Sequence, residues 1–400
     1  MNGTTISMNL LRYSVLFLVC FLADIPSGFG EEKAYSEKQG LKLHQRVWEL
    51  VAKHYYDPDL GGRDWNSIAK KGRRLIPEAE NWKEAYQIID SMLDEFDDAH
   101  TFVWSPKKLA EERKEAFVGV GFQTVLHADQ PDLNIVNHVI TGSPAAEAGI
   151  EQGWLFLNSN EIRAQARVAG ETKLYRFLDR YERLQEIPLA ATPMANWKSG
   201  WIRKDLEGGI IYFRMDDFDP GVANWLKGEM ELLSGVDSAI IDVRWNPGGL
   251  LGELTKVLEQ LVPYGTEVGL IKSRNGKSQR WIIKNKSIGK PKLTDYVILV
   301  SNYSASSSEI LASVIQNENL GVIAGVAPTA GEVLFSPSWD LPGGGLLKIA
   351  ARDFVDSNRK RLQGNGVVPD IRTKNRSFFE LRRGIDPTLN AAISHLHKNK

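Results

Sequence analysis

Two short apolar runs constrain this chain more than anything else in it: Ala239-Ile240-Ile241-Asp242-Val243 and Tyr296-Val297-Ile298-Leu299-Val300. Runs that are apolar without alternation belong to strands buried on both faces, and such strands need helices packed over them. Each is followed by a turn and a helical pattern. Asn246-Pro247-Gly248-Gly249 leads into a helix from about Leu251, and a serine-rich turn leads into a helix through Ile310–Ile315. Ile210-Ile211-Tyr212-Phe213, followed by a helix from Val222 to Leu233, repeats the scheme. Strands alternating with helices predict a mainly parallel sheet whose chemistry lies in the loops after the strand C-termini. Residues 207–400 therefore predict an α/β core.

The chain ahead of that core divides in three. Residues 31–115 carry apolar stripes at helical spacing (Leu41, His44, Val47, Trp48, Val51; then Ala85, Ile88, Ile89, Met92, Leu93) and predict a small helical domain. Residues 116–206 open on Val118-Gly119-Val120-Gly121-Phe122 and alternate through Leu133–Ile140, a β pattern with Gly142-Ser143-Pro144 as punctuation. A short helix is expected at Ala145–Ala148 and a longer amphipathic one at Lys173–Leu184, with strand and linker over 185–206. Residues 1–30 read as a signal peptide, with an uncleaved anchor as the alternative. Arg12 flanks an apolar core from Tyr13 to Ala23, too short to span a bilayer, and Pro26, Ser27, Gly28 and Gly30 follow. Bulky Phe17-Leu18-Val19 argue against lipidation of Cys20. An extracytoplasmic location, periplasmic or secreted, is expected, with no membrane span once the leader is removed.

Composition excludes several classes. The chain has 49 Lys and Arg against 50 Asp and Glu, a net charge of −1, which does not suit a protein that grips nucleic acid through counterion release. Its single cysteine, Cys20, can build neither a disulfide framework nor a cysteine-ligated metal centre. The seven histidines show no HExxH or HxxxH spacing, so no metal site and no cofactor are expected.

Three turns and one histidine are chemically suggestive. Ser304-Ala305-Ser306-Ser307-Ser308-Glu309 follows a buried strand and opens a helix. Ser306 and Glu309 fit a capping box, yet a hydroxyl at a helix N-terminus also sits among unpaired N–H groups that could hold an oxyanion. Gly248-Gly249 either marks a tight turn or exposes backbone N–H groups to a substrate. His100, in an acidic loop, has the side chain most suited to take a proton from a serine hydroxyl. Gly119-Val120-Gly121-Phe122 is a glycine-punctuated strand start, or a loop whose N–H groups hold a peptide's terminal carboxylate while its tail adds as a strand.

Together these stretches resemble the tail-specific (C-terminal-processing) serine proteases and the related tricorn core, from about residue 45 to 395. His54-Tyr55-Tyr56-Asp57-Pro58-Asp59 and Asp97-Asp98-Ala99-His100-Thr101 are similar to the family's helical lead-in. Residues 117–160 are similar to its PDZ domain. Ile241 to Leu251, Tyr303 to Ile310, Leu341 to Gly345 and Leu362 to Ile371 follow in the family's order. The resemblance implies a mixed α/β catalytic core with an inserted PDZ-like β domain and a small N-terminal helical domain. It also implies Ser306 as nucleophile, Gly248 or Gly249 with Ser307 as oxyanion donors, and polypeptide substrates delivered by their C-terminal tails.

Departures from the family pattern matter as much. The turn that carries the tail-specific lysine base reads Pro328-Thr329-Ala330-Gly331-Glu332, with Glu332 in the lysine's place; the aspartate some members carry farther along is Asn317. Tricorn-type members use a histidine instead, and His100 matches it. Ala99 replaces the neighbouring serine, however, and Gln363 stands about where a supporting glutamate would. Asp97, Asp98 and Glu332 are the carboxylates available to orient the imidazole. The resulting expectation is an exported serine endopeptidase using Ser306 and His100. The alternative is a silent relative that binds peptide tails or an apolar ligand; proteolysis through Glu332 or a distant lysine is a third.

Overall fold

The computed structural model describes residues 34–96, 98, 100–114, 118–158, 168–193, 200–234, 236–284 and 293–398. The expected leader, with Cys20, and Asp97, Ala99 and Phe117 lie outside the described residues.

The two apolar runs form the middle of a six-stranded sheet. Its order is Ile371–Arg372, Gly321–Gly325, Asp295–Val300, Ser238–Asp242, Ile210–Met215 and Trp201–Leu206, parallel throughout except for the last strand. Alternate side chains explain why these strands tolerate no polar face. Ile211, Phe213, Ala239, Ile241, Tyr296 and Ile298 pack with helices Val222–Glu231, Leu251–Leu261 and Ser307–Asn317. Ile210, Tyr212, Ile240, Val297 and Leu299 meet Ala392 and Leu396 of the helix Pro387–Lys398. Trp201–Leu206 pairs with Ile210–Met215 across Gly208-Gly209, so it lies in the core sheet and not with the preceding β unit.

The helical lead-in contains Glu37–His54, Trp65–Leu75 and Trp82–Leu93. It does not stand alone: Leu43, Val47, Ile89 and Phe96 share one apolar cluster with Leu334, Leu341, Leu347 and Ile349 of the core segment. The lead-in strand Phe102–Trp104 completes a three-stranded sheet with Leu346–Lys348 and Ser338–Asp340. His100 thereby reaches the core.

Residues 118–193 carry a five-stranded antiparallel sheet, Phe122–His127, Gln130–Val139, Leu155–Phe156, Thr172–Leu178 and Leu184–Ala190, with a short helix Pro144–Glu147. The helix expected at Lys173–Leu184 is instead a hairpin. Tyr175 and Phe177 alternate into the core, while Asp179 accepts the N–H groups of Tyr181 and Arg183 and turns the chain. Leu174, Phe177, Leu178 and Tyr181 stand at helical spacing and produce the misleading stripe, although Leu174 and Tyr181 are exposed.

This unit is fastened to the core twice. The His138 ring stacks on Trp245 (centroids 4.2 Å apart), which stacks on Tyr303 (4.9 Å). Across the sheet, Phe378 and Leu381 cover Ile135 and Leu155, and the buried Arg382 donates to the carbonyls of Gly153 (2.8 Å), Leu178 (3.1 Å) and Asp179 (2.8 Å) and to the Glu182 carboxylate. Arg382→Ala removes a donor from three carbonyls and is expected to lower unfolding free energy by roughly 2–4 kcal/mol, read by urea titration.

Candidate active site

Ser306 is the N-cap residue of the helix Ser307–Asn317, and of the expected capping box the Glu309 half is made: the Glu309 carboxylate accepts the Ser306 N–H, while the Ser306 hydroxyl makes no cap hydrogen bond. Its backbone is unusual: φ is +54° and ψ −115°, a left-handed setting that non-glycine residues adopt only when their surroundings enforce it. The enforcement comes from Glu309. Its buried carboxylate accepts the N–H of Ser306 (3.0 Å), Glu332 (2.7 Å) and Gly331 (2.7 Å) and the hydroxyl of Thr329 (2.6 Å). The Ser306 N–H also donates to the Glu332 carbonyl at 2.9 Å. Burial pushes the Glu309 carboxyl up to about 7 against the pull of these four donors. Since every partner is a donor, the geometry suits the ionised form.

The serine run is then sorted by what each hydroxyl does. Ser304 donates to the Val243 carbonyl (2.8 Å), Ser307 to Gly249 (3.1 Å) and Ser308 to Asn246 (2.9 Å), while Ser301, just upstream, donates to Arg244. These bonds zip the serine turn to the glycine turn. Among the described residues Ser306 alone in the run donates its hydroxyl to no carbonyl, and it is half-buried at the surface of the junction.

Gly248 (φ +111°) lies directly against it: a Cβ there would come within 2.7 Å of the Ser306 Cβ and 3.2 Å of its Oγ, so only glycine fits. The Gly248 N–H is taken by the Asn246 side-chain oxygen at 2.8 Å. The N–H groups of Gly249 and Ser307 have no hydrogen-bond partner among the described residues. Of the two glycine donors left open by sequence, Gly249 is therefore the one whose N–H is available.

His100 is buried, and its backbone N–H donates to Asp98 at 2.8 Å. Thr101 accepts the Ala350 N–H, and the next residue, Phe102, pairs with Lys348. Burial, and then the Lys348 charge, push the imidazole down to about 4. Its Nδ1 is buried without a partner among the described residues, and no hydrogen bond joins the ring to Ser306. Of the carboxylates expected to orient the ring, Asp98 is engaged elsewhere. Asp98 binds the His100 backbone and the Tyr55 hydroxyl (3.0 Å), and Asp97 lies outside the described residues. Gln363 spends its side-chain oxygen on the Val333 N–H at 2.8 Å. Glu332 meets the serine turn through its backbone.

Gly119, Val120, Gly121 and Phe122 are buried in the five-stranded unit. The Val120 carbonyl accepts the Ala145 N–H (2.8 Å), and the Gly121 carbonyl accepts the N–H of Ile140 (2.9 Å). No hydrogen bond among the described residues links this loop to the serine turn. Sequence places Asn246, Thr329, Ser304 and Ser308 in their turns without a role, and gives no sign of Lys348, because their value lies in partners many residues away. The Asn-Pro-Gly-Gly spacing was the only local signal for the first of them.

Similar proteins are known. Residues 209–373 match the model of peptidase family S41, and residues 44–94 that of the tricorn protease C1 domain. The carboxyl-terminal-processing protease of Synechocystis is 24% identical over 96% of this chain and 92% of its own length. A chloroplast carboxyl-terminal-processing peptidase of Arabidopsis thaliana is 22% identical over 82% of this chain and 71% of its own. Among solved structures, the photosystem II D1 C-terminal processing protease superposes with a TM-score of 0.60 at 21% identity, covering 84% of this chain and 93% of that one. An S41 protease described as putative, from Bacteroides fragilis, reaches 0.63 at 15% identity, covering 94% of this chain and 100% of that one. The fold is that of these solved processing-protease and S41 structures. Residues 209–373 thus match peptidase family S41, and the chain over most of its length is similar to carboxyl-terminal-processing proteases.

Glu309→Gln would turn an NH2 group toward backbone donors. It is expected to destabilise the protein by roughly 1–3 kcal/mol, read as a lowered melting temperature.

Proposed function

We propose that this chain is an exported serine endopeptidase acting on polypeptides with flexible, apolar C-termini, with Ser306 as nucleophile. The carrying observation is the Ser306 hydroxyl, held in a left-handed turn against Gly248 while its neighbours' hydroxyls are all engaged. Ser306 Oγ attacks the scissile carbonyl and its proton passes to the neutral His100 imidazole. The N–H groups of Gly249 and Ser307 hold the oxyanion. The C–N bond then breaks, the amine leaves with the imidazolium's proton, and water hydrolyses the ester by the reverse proton path. No cofactor takes part. The leader-like residues 1–30 support an extracytoplasmic site of action. The β unit, with the loop Gly119–Phe122, supports a PDZ-like role in receiving substrate tails.

An imidazole held near 4 is neutral at pH 7 and can accept, but its conjugate acid is stronger than an ordinary histidine's. From about 6.5 to about 4 this costs roughly 3 kcal/mol in proton affinity, so turnover through His100 is slow unless a carboxylate joins it in the substrate complex. The same observation favours a second reading, a silent relative that binds tails. A fluorophosphonate probe separates them. Labelling of the wild type that vanishes in Ser306→Ala and falls at least tenfold in His100→Ala supports the peptidase; an unlabelled wild type leaves the binder.

The pH dependence follows from the depressed imidazole. Protonation removes the base only below its folded value, so the acid limb of kcat/KM is expected near pH 4 instead of 6.5, with activity retained at pH 5. A limb near 6.5 in a pH–rate profile would contradict the assignment.

A further inference from the structure

We propose that Asn246 is a positioning residue that locks the glycine turn against the serine turn and so sets the oxyanion donors in register with Ser306. This rests on the reading of Ser306 as nucleophile.

Asn246 has no exposed surface, and each of its polar groups is spent on a different piece of the junction. Its side-chain oxygen holds the Gly248 N–H at 2.8 Å, and its Nδ2 donates to the Met215 carbonyl at 2.9 Å. Its own carbonyl accepts from the serine turn twice, from the Ala305 N–H (3.2 Å) and from the Ser308 hydroxyl (2.9 Å). One residue thus ties the end of the strand Ile210–Met215, the glycine turn and the residues on both sides of Ser306.

The chemical consequence lies in the orientation of peptide planes. Gly248 and Gly249 have φ of +111° and +147°, and glycine resists no alternative setting by itself. The captured Gly248 N–H pins the turn, and the Phe218 N–H on the Gly248 carbonyl (2.9 Å) pins the next peptide plane. That plane carries the Gly249 N–H, which is left without a partner among the described residues. An oxyanion donor must be held ready before charge develops, since a turn that reorients during the reaction forfeits much of the stabilisation. Asn246 supplies that readiness without touching substrate.

The test uses the full chain with Asn246→Ala, Asn246→Asp and Ser308→Ala, each checked for a cooperative melt. Amide exchange of Gly248 and Ala305 reads the lock directly. It is expected to accelerate at least tenfold in Asn246→Ala, to recover for Gly248 in Asn246→Asp, which keeps the acceptor oxygen, and to rise for Ala305 alone in Ser308→Ala. Fluorophosphonate labelling and peptide turnover read the consequence. In Asn246→Ala both are expected to fall about 100-fold with KM changed less than threefold. Unchanged exchange, or a KM effect with kcat intact, overturns the proposal. If the wild type resists the probe, the nucleophile reading fails and the oxyanion role with it, while the exchange arm still decides whether Asn246 locks the turns.

Discussion

The site depends on one buried carboxylate. Glu309 sits at the start of a helix with no exposed surface, gathering three backbone N–H groups and a threonine hydroxyl from two segments about twenty residues apart in sequence. Such a group is costly to bury unless fully bonded, and once bonded it resists rearrangement because each partner would be left bare. That resistance holds Ser306 at positive φ. The capping box is therefore not an alternative to a nucleophile turn; it is the means by which this one is strained.

Around that anchor the chain adds a second layer of constraint. The root of the glycine turn is fixed by Arg244, which bonds both Asp242 oxygens and reaches Asp386 at 2.8 Å. Burial raises the Asp242 carboxyl, but the Arg244 charge, the hydrogen bonds from Arg244 and the Arg214 charge together outweigh it and hold it down to about 2. Asp386 also takes Arg376, which bonds Gln152 of the β unit at 2.7 Å. The last residues of the chain thus tie the small sheet to the strand that carries the glycine turn. His138, Trp245 and Tyr303 make the second tie, between the same two bodies, immediately beside both turns.

Much of this was legible in the sequence. Unbroken apolar runs in Ser238–Asp242 and Asp295–Val300 can be satisfied only inside a covered parallel sheet, and Gly-Gly and Ser-rich turns at their ends mark where that sheet opens. The hairpin at Thr172–Ala190 was illegible for an opposite reason. Its Leu174, Phe177, Leu178 and Tyr181 imitate a helical stripe, and only packing against Phe122 and Phe156 shows that Tyr175 and Phe177 follow a two-residue period. His100 could be singled out by residue type, but its environment could not. Lys348 lies far along the chain and comes near only because Phe102–Trp104 pairs with Leu346–Lys348.

By itself the sequence determined the α/β core, the order of its parts and the short list containing Ser306, because strand burial, helix capping and glycine turns are local consequences of residue type and spacing. Tertiary structure alone decided which serine keeps its hydroxyl free, which glycine N–H remains open and how far burial depresses His100. Each of those depends on which donor, acceptor or charge a distant segment places alongside, and no local spacing encodes that.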